Sequence, residues 1–212
     1  MSKILLLMLG MGMVGFSACD KTKLEDIGTQ EDYYPLSIGN YWVYESYARN
    51  EPQMEWDLVL NSGDSTYITK DTVINSLLYY KRLSARETGA LVIDYIRYEN
   101  DELVNSLGDK LFSANPSFVA PALDTSVTNT GNYYAITPSL GLTEELLTVE
   151  AGTFTCADWI LSNIWVQNDS IIQASQQHNY YAKGIGFVQM NTNPGLMIHS
   201  YGQKKLKTYH IN

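Results

Sequence analysis

Cysteine, histidine and positive charge are all scarce in this sequence. Its 212 residues include two cysteines, three histidines and 14 lysines plus arginines against 23 acidic residues, for a formal charge of −9. So acidic a chain excludes nucleic acid as a partner, because phosphate backbones are bound by basic stripes. It equally argues against a basic face held on anionic lipid. The negative charge serves solubility.

Long apolar runs are missing too. The longest, Ile4 to Val14, has 11 residues, about half of the roughly 20 needed to cross a bilayer as a helix. It follows Lys3 and precedes Gly15, Phe16, Ser17, Ala18 and Cys19. A short positive start, a short apolar run and small residues together read as a secretory signal. Ser17-Ala18-Cys19 resembles the bacterial lipobox, in which the cysteine is acylated and the peptide is cut before it. Phe16 stands where that pattern is usually aliphatic. Each buried methylene contributes about 0.8 kcal/mol, so two or three chains anchor a protein almost permanently. The expectation is a signal over residues 1–18 and a membrane anchor at Cys19. Cys156 then lacks a partner for an internal disulfide and reads as a buried, inert thiol.

Motifs of chemistry are also absent. There is no Gly-x-Ser-x-Gly elbow, and Gly184-Ile185-Gly186 lacks the third glycine of a dinucleotide loop. His178, His199 and His210 are too widely spaced for a close metal-ligand pair. Glu144-Glu145 and Asp57 with Asp94 are the carboxylate groupings that could serve a hydrolase, and ordinary strand faces explain them. No cofactor, no metal and no catalytic residue is expected.

Residues 19–32 are polar, acidic and free of aromatics, as suits a flexible tether. Residues 33–212 change to short runs rich in Tyr, Thr, Val, Ile and Trp, divided by turn residues, and form one domain. Glu55 to Leu60 places Trp56, Leu58 and Leu60 on one face. Further strand-like runs are Ser65–Lys70, Leu77–Leu83, Ala90–Tyr98, Tyr133–Thr137, Leu142–Glu150, Thr153–Val166, Ile171–Ala182, Phe187–Met190, Leu196–Tyr201 and Leu206–Ile211. About ten short strands at this spacing predict an all-β fold: an antiparallel sandwich or a partly open barrel with little helix. Asn115–Gly131 shows no alternation and reads as a long loop, a candidate lid. Lys204, Lys205 and Lys207 read as a solvated strand edge. Tyrosine doublets at 33–34, 79–80, 133–134 and 180–181 would place one ring in the core and one outside, since strand neighbours face opposite ways.

Three segments resemble a family of Bacteroidota envelope lipoproteins of uncharacterised function. Tyr34-Pro35-Leu36-Ser37-Ile38-Gly39-Asn40-Tyr41-Trp42-Val43-Tyr44 is similar to its (F/Y)-P-L-x-x-G-N-x-W-x-Y start. Val149-Glu150-Ala151-Gly152-Thr153-Phe154 is similar to its V-x-A-G-T-F hairpin. Tyr181-Ala182-Lys183-Gly184-Ile185-Gly186-Phe187-Val188 resembles its (Y/W)-x-A-x-G-I-G-x-V element. The resemblance implies a secreted β-domain and carries over no catalytic residue. Asp71-Thr72-Val73, Asp169-Ser170-Ile171 and Asp64-Ser65-Thr66 resemble the O-glycosylation acceptors of the same phylum, with Thr72 and Ser170 the better candidates.

The functional expectation is a lipid-anchored cell-envelope protein, held at the outer membrane on its periplasmic or external side. Its β-domain would bind a glycan or a protein partner without chemistry. A carrier sheltering an apolar small molecule in a half-open barrel is the alternative, and a hydrolase with an unfamiliar site is the third.

Overall fold

The computed structural model describes residues 33–60, 63–86, 89–115, 123–127, 133–168, 170–193 and 201–212. The signal, Cys19 and the tether lie outside them. The described residues hold fourteen strands and no helix, the all-β class that the sequence predicts with more strands than the ten or so read from it. The strands are β1 (Tyr41–Arg49), β2 (Asp57–Leu58), β3 (Asp64–Ile74), β4 (Leu77–Arg86), β5 (Leu91–Glu99), β6 (Glu102–Asn105) and β7 (Lys110–Ser113). The second half comprises β8 (Leu123–Val127), β9 (Tyr133–Leu140), β10 (Glu145–Val149), β11 (Gly152–Gln167), β12 (Ser170–Ala182), β13 (Gly186–Thr192) and β14 (Tyr201–His210).

All belong to one open antiparallel sheet in the order β7-β6-β5-β4-β3-β1-β14-β13-β12-β11-β9-β8, with β10 added on β11 and β2 on β1. Local chemistry sets the hairpins. Asn75-Ser76 and Asn100-Asp101 all have positive φ, the two-residue turn whose twist matches that of paired strands. The sheet then rolls on itself. Phe112 of β7 reaches Trp159 of β11 at 5.7 Å and Tyr181 of β12 at 4.5 Å between ring centroids, although these strands are far apart in the sheet order. The face carrying Trp42, Tyr44, Ile68, Ile96, Leu103, Phe112 and Trp159 is thereby turned inward and buried.

Two of the three family-like segments meet at Trp42, and the third packs nearby on β14. Trp42 is fully buried, its indole Nε1–H donates to the Ile185 carbonyl at 2.5 Å, and Gly186 lies against its ring. Asn40 donates to the Pro35 carbonyl and accepts from the Asn212 backbone N–H, each at 2.9 Å, tying the start of the domain to its end. At the β10–β11 turn, the Ala151 N–H donates to the Leu206 carbonyl of β14 at 3.4 Å.

The presumed loop Asn115–Gly131 contains β8, which pairs with β9; its Thr and Ser residues obscure the strand because their polarity hides alternation. Residues 116–122 and 128–131 lie outside the described residues. β6 and β7 were missed because four-residue strands carry too little pattern, yet they supply Leu103 and Phe112 to the core. The Glu55–Leu60 strand shrinks to Asp57–Leu58, with Leu58 and Leu60 exposed and Trp56 stacked under Arg49 at 4.3 Å. β14 lies between β1 and β13 and is no edge; Lys204 pairs with Asp64, Lys207 with Glu45, and Lys205 sits over the Tyr47 ring at 5.3 Å. Tyr33 and Tyr34 are both buried, since they precede β1 and fold into the rolled sheet instead of alternating along a strand.

Candidate functional site

A pocket of about 350 Å³ opens on the inner face. One wall is built from Tyr44 of β1, Asp64 and Thr66 of β3, Arg82, Ser84 and Arg86 of β4, and Val92 of β5. Asn179 and Tyr181 of β12, Phe187 of β13 and Lys204 of β14 form the other, and Tyr34 closes it from the segment before β1. Antiparallel register explains the grouping. Thr66 faces Ser84, and Ser84 faces Val92, so alternate residues of three neighbouring strands present one face.

Arg82 is the centre of the site. Its Nε–H donates to Asp94 Oδ1 at 3.0 Å and its second nitrogen to Oδ2 at 2.5 Å. Its guanidinium also lies 5.8 Å from the centroid of the Tyr34 ring. A two-point carboxylate clamp fixes a guanidinium in orientation as well as in charge. Burial works against the Arg82 charge, but Tyr34 and Asp94 more than offset it, and the pKa is raised. Burial pushes the phenols of Tyr34, Tyr44 and Tyr181 upward, with Arg82 pulling each the other way. They remain protonated hydroxyls. The Tyr44 hydroxyl donates to the Phe187 carbonyl at 3.1 Å, which fixes that ring in the wall.

Asn179 is buried. Its Nδ2–H donates to the Trp159 carbonyl at 3.2 Å and its Oδ1 accepts from Gln177 at 2.9 Å. Thr66 and Ser84 hydroxyls are 3.3 Å apart and bonded to each other. The pocket therefore offers aromatic faces and hydroxyl, amide and guanidinium groups already held in place. Such a surface recognises hydroxyl-rich or charged small molecules by stacking and hydrogen bonding. Among the described residues lining it there is no histidine or cysteine.

Of the candidate residues named from the sequence, Asp64 and Thr66 of one acceptor-like triplet and Lys204 line the pocket, together with Tyr34 and Tyr181 of the tyrosine doublets, and Asp94 braces Arg82 from behind; the others fall elsewhere. Cys19, His199 and Asp169 lie outside the described residues. Thr72 is half-buried near the end of β3, opposite Tyr79, and Ser170 is exposed at the start of β12. Asp57 is exposed in β2; Glu144 accepts from the Tyr33 hydroxyl at 3.4 Å; neither lines the pocket. Cys156 is buried, its thiol directed at the Phe154 carbonyl at 3.6 Å, and burial pushes its pKa up to about 12. His178 is bonded through Nδ1 to Asp158 at 2.7 Å on the opposite face of the sheet, and His210 stacks on Tyr41 at 5.7 Å. Among the described residues no three His, Cys, Asp or Glu side chains converge on a metal-sized site.

Sequence reasoning missed Arg82, Arg86 and Asn179. The signal for Arg82 was a charge on the face of β4 that also carries Tyr80 and Ser84, the face turned inward. That signal is legible only once the roll of the sheet is known.

No family model and no curated protein matches the chain. Two solved structures share its fold. One is a "putative lipoprotein" from Parabacteroides distasonis ATCC 8503, with 15% identity and a TM-score of 0.55, covering 84% of this chain and 98% of that one. The other is described as an exported protein with a YmcC-like fold, from Bacteroides fragilis NCTC 9343, with 12% identity and a TM-score of 0.52 over the same shares. At these identities the likeness establishes the fold, an open and rolled antiparallel sheet common to all three chains.

Proposed function

We propose that this chain is a lipid-anchored protein of the bacterial cell envelope whose β-domain captures a small polar ligand, a glycan unit foremost, without chemical turnover. The observation that carries the capture reading is the inner pocket. Its Arg82 is clamped by Asp94 and lies close to the Tyr34 ring, and Tyr181, Phe187 and Asn179 stand across from it. Its volume is at the small end of the range of about 300–1,000 Å³ typical of ligand pockets. Ser17-Ala18-Cys19 supports the anchor, and the names of the two similar structures, one a lipoprotein and one exported, agree with that compartment. The family-like segments support membership of the Bacteroidota envelope family.

An apolar cargo suits this lining poorly. Arg82, Arg86, Asp64 and Lys204 would have to give up water against hydrocarbon, which is costly without compensating polar partners. A protein partner is the second reading, favoured by the outer face of β5, where Leu91 and Ile93 are 63% and 51% exposed.

Two measurements test the proposal. Fractionation of cells carrying wild type and Cys19→Ala should move the protein from membrane to soluble fraction; retention in the membrane overturns the anchor. Labelling of intact against permeabilised cells assigns the side of the membrane. A glycan array probed with wild type and Val92→Trp tests capture. Val92 is half-exposed at the pocket, so the larger ring blocks the mouth without entering the core. Array binding that survives this plug places capture elsewhere.

A further inference from the structure

Charge in the pocket runs against charge in the chain. The whole sequence carries −9, yet the pocket lining contains Arg82, Arg86 and Lys204 against a single carboxylate, Asp64. Arg82 is compensated from behind by Asp94. Asp64 is shared: it pairs with Lys204 across β1, and in the β3–β4 register it stands opposite Arg86. Two cations thus face one carboxylate. Arg86 is exposed at the end of β4, and among the described residues its guanidinium has no ion-pair partner.

We infer that the pocket selects a ligand carrying one carboxylate, received by Arg86 at the mouth, with the ring of the ligand against the Tyr181 and Phe187 wall. In sugar chemistry that is a uronic acid unit rather than a neutral hexose. The inference rests on the capture reading and sharpens it. Pairing at the mouth is a charge-assisted hydrogen bond, stronger than the neutral hydrogen bonds that a hexose could make there. The planar fork of Arg86 can meet both carboxylate oxygens at once. An uncompensated cation in an acidic protein also draws an anion inward against the general field, and that attraction is weakened by salt.

The test is a titration of the ¹⁵N-labelled domain with methyl β-D-glucuronoside and methyl β-D-glucoside, read by backbone and arginine side-chain shifts. The glucuronoside should shift the Arg86 Nε–H signal and bind at least about tenfold tighter than the glucoside. Arg86→Gln should bring the two within about twofold, with spectra otherwise unchanged because the side chain is exposed. Equal affinity of the two glycosides overturns the selectivity and leaves capture standing. A preference that persists in Arg86→Gln also overturns it, since another group then reads the carboxylate. If neither glycoside moves Tyr34, Tyr181 or Phe187, the capture reading of this pocket fails with it.

Discussion

Gly186 lies so close to Trp42 that a Cβ built on it would stand 3.1 Å from the indole nitrogen and 3.3 Å from the adjoining ring carbon. The two residues are far apart in sequence, and each belongs to a separate family-like segment. Gly186 also has φ of +106°, while Gly184, two residues earlier, has φ of +69° with nothing within 4 Å of its would-be Cβ. Gly184 thus carries backbone strain alone, whereas Gly186, outside the left-handed region that an alanine can occupy, carries greater strain and crowding together. Gly184→Ala should cost about 1 kcal/mol, the left-handed penalty alone. Gly186→Ala should cost roughly 2–4 kcal/mol, because it adds displacement of a fully buried tryptophan and of its hydrogen bond to Ile185. Urea unfolding of both variants, followed by tryptophan fluorescence, checks the difference.

How far the sequence revealed this fold is seen in particular residues. Trp42 and Gly186 were marked by the segments that resemble the envelope family and not by alternation, since Tyr41-Trp42-Val43-Tyr44 is apolar on both faces of its strand. The long strands β3, β4, β5, β11 and β12 were legible from β-branched and aromatic content at short spacing. The roll of the sheet was not. It depends on Phe112 reaching Trp159 and Tyr181, contacts between strands that are distant in both chain and sheet order, and a period-two pattern holds no information about them. The site shares that blindness. Asp94 was noted as a carboxylate, but its partner Arg82 is a cross-strand neighbour set by register.

The Arg82–Asp94 pair gives the second prediction. Asp94→Ala leaves a largely buried guanidinium without its clamp and should destabilise the domain by about 2–3 kcal/mol. The double variant Arg82→Met with Asp94→Leu removes both charges and should recover most of that loss, since an uncompensated charge costs more than an absent pair. Denaturant midpoints of wild type, single and double variants form the check. A double variant as unstable as Asp94→Ala would mean that the pair itself is strongly stabilising.

The exposed apolar row on β5 gives the third. Leu83 of β4 faces Ile93, and Tyr67 of β3 faces Leu83, so Ile93 continues a row of large side chains across the outer face. Leu91 and Ile93 are nevertheless more than half exposed. Leu91→Thr with Ile93→Thr keeps strand preference and should change stability by no more than about 0.5 kcal/mol. Leu103→Ala, at a fully buried position, should cost about 2–5 kcal/mol. A large loss from the outer pair would show that this row is covered by other parts of the chain, and it would remove the observation behind a protein partner.

Cys156 gives a prediction with a definite sign in pH. Its thiol is fully buried, and burial first, then the carboxylates of Glu144 and Glu145, push its pKa from 9.0 up to about 12. An acid whose pKa is higher in the folded state holds its proton there after the unfolded chain has released it. Between pH 9 and about 12 the folded protein therefore binds more protons than the unfolded one, and stability falls as pH rises. The slope contributed by this one group approaches about 1.4 kcal/mol per pH unit inside that window and vanishes below it. Unfolding free energies measured at pH 8, 9.5 and 10.5 should decline more steeply for Cys19→Ala than for Cys19→Ala with Cys156→Ala. In the first of these, native protein at pH 8 should also resist a thiol reagent that labels the urea-unfolded chain at once. Rapid labelling of the native protein would mean that Cys156 is reached by solvent, and parallel pH profiles for the two variants would mean that its ionisation is not coupled to folding.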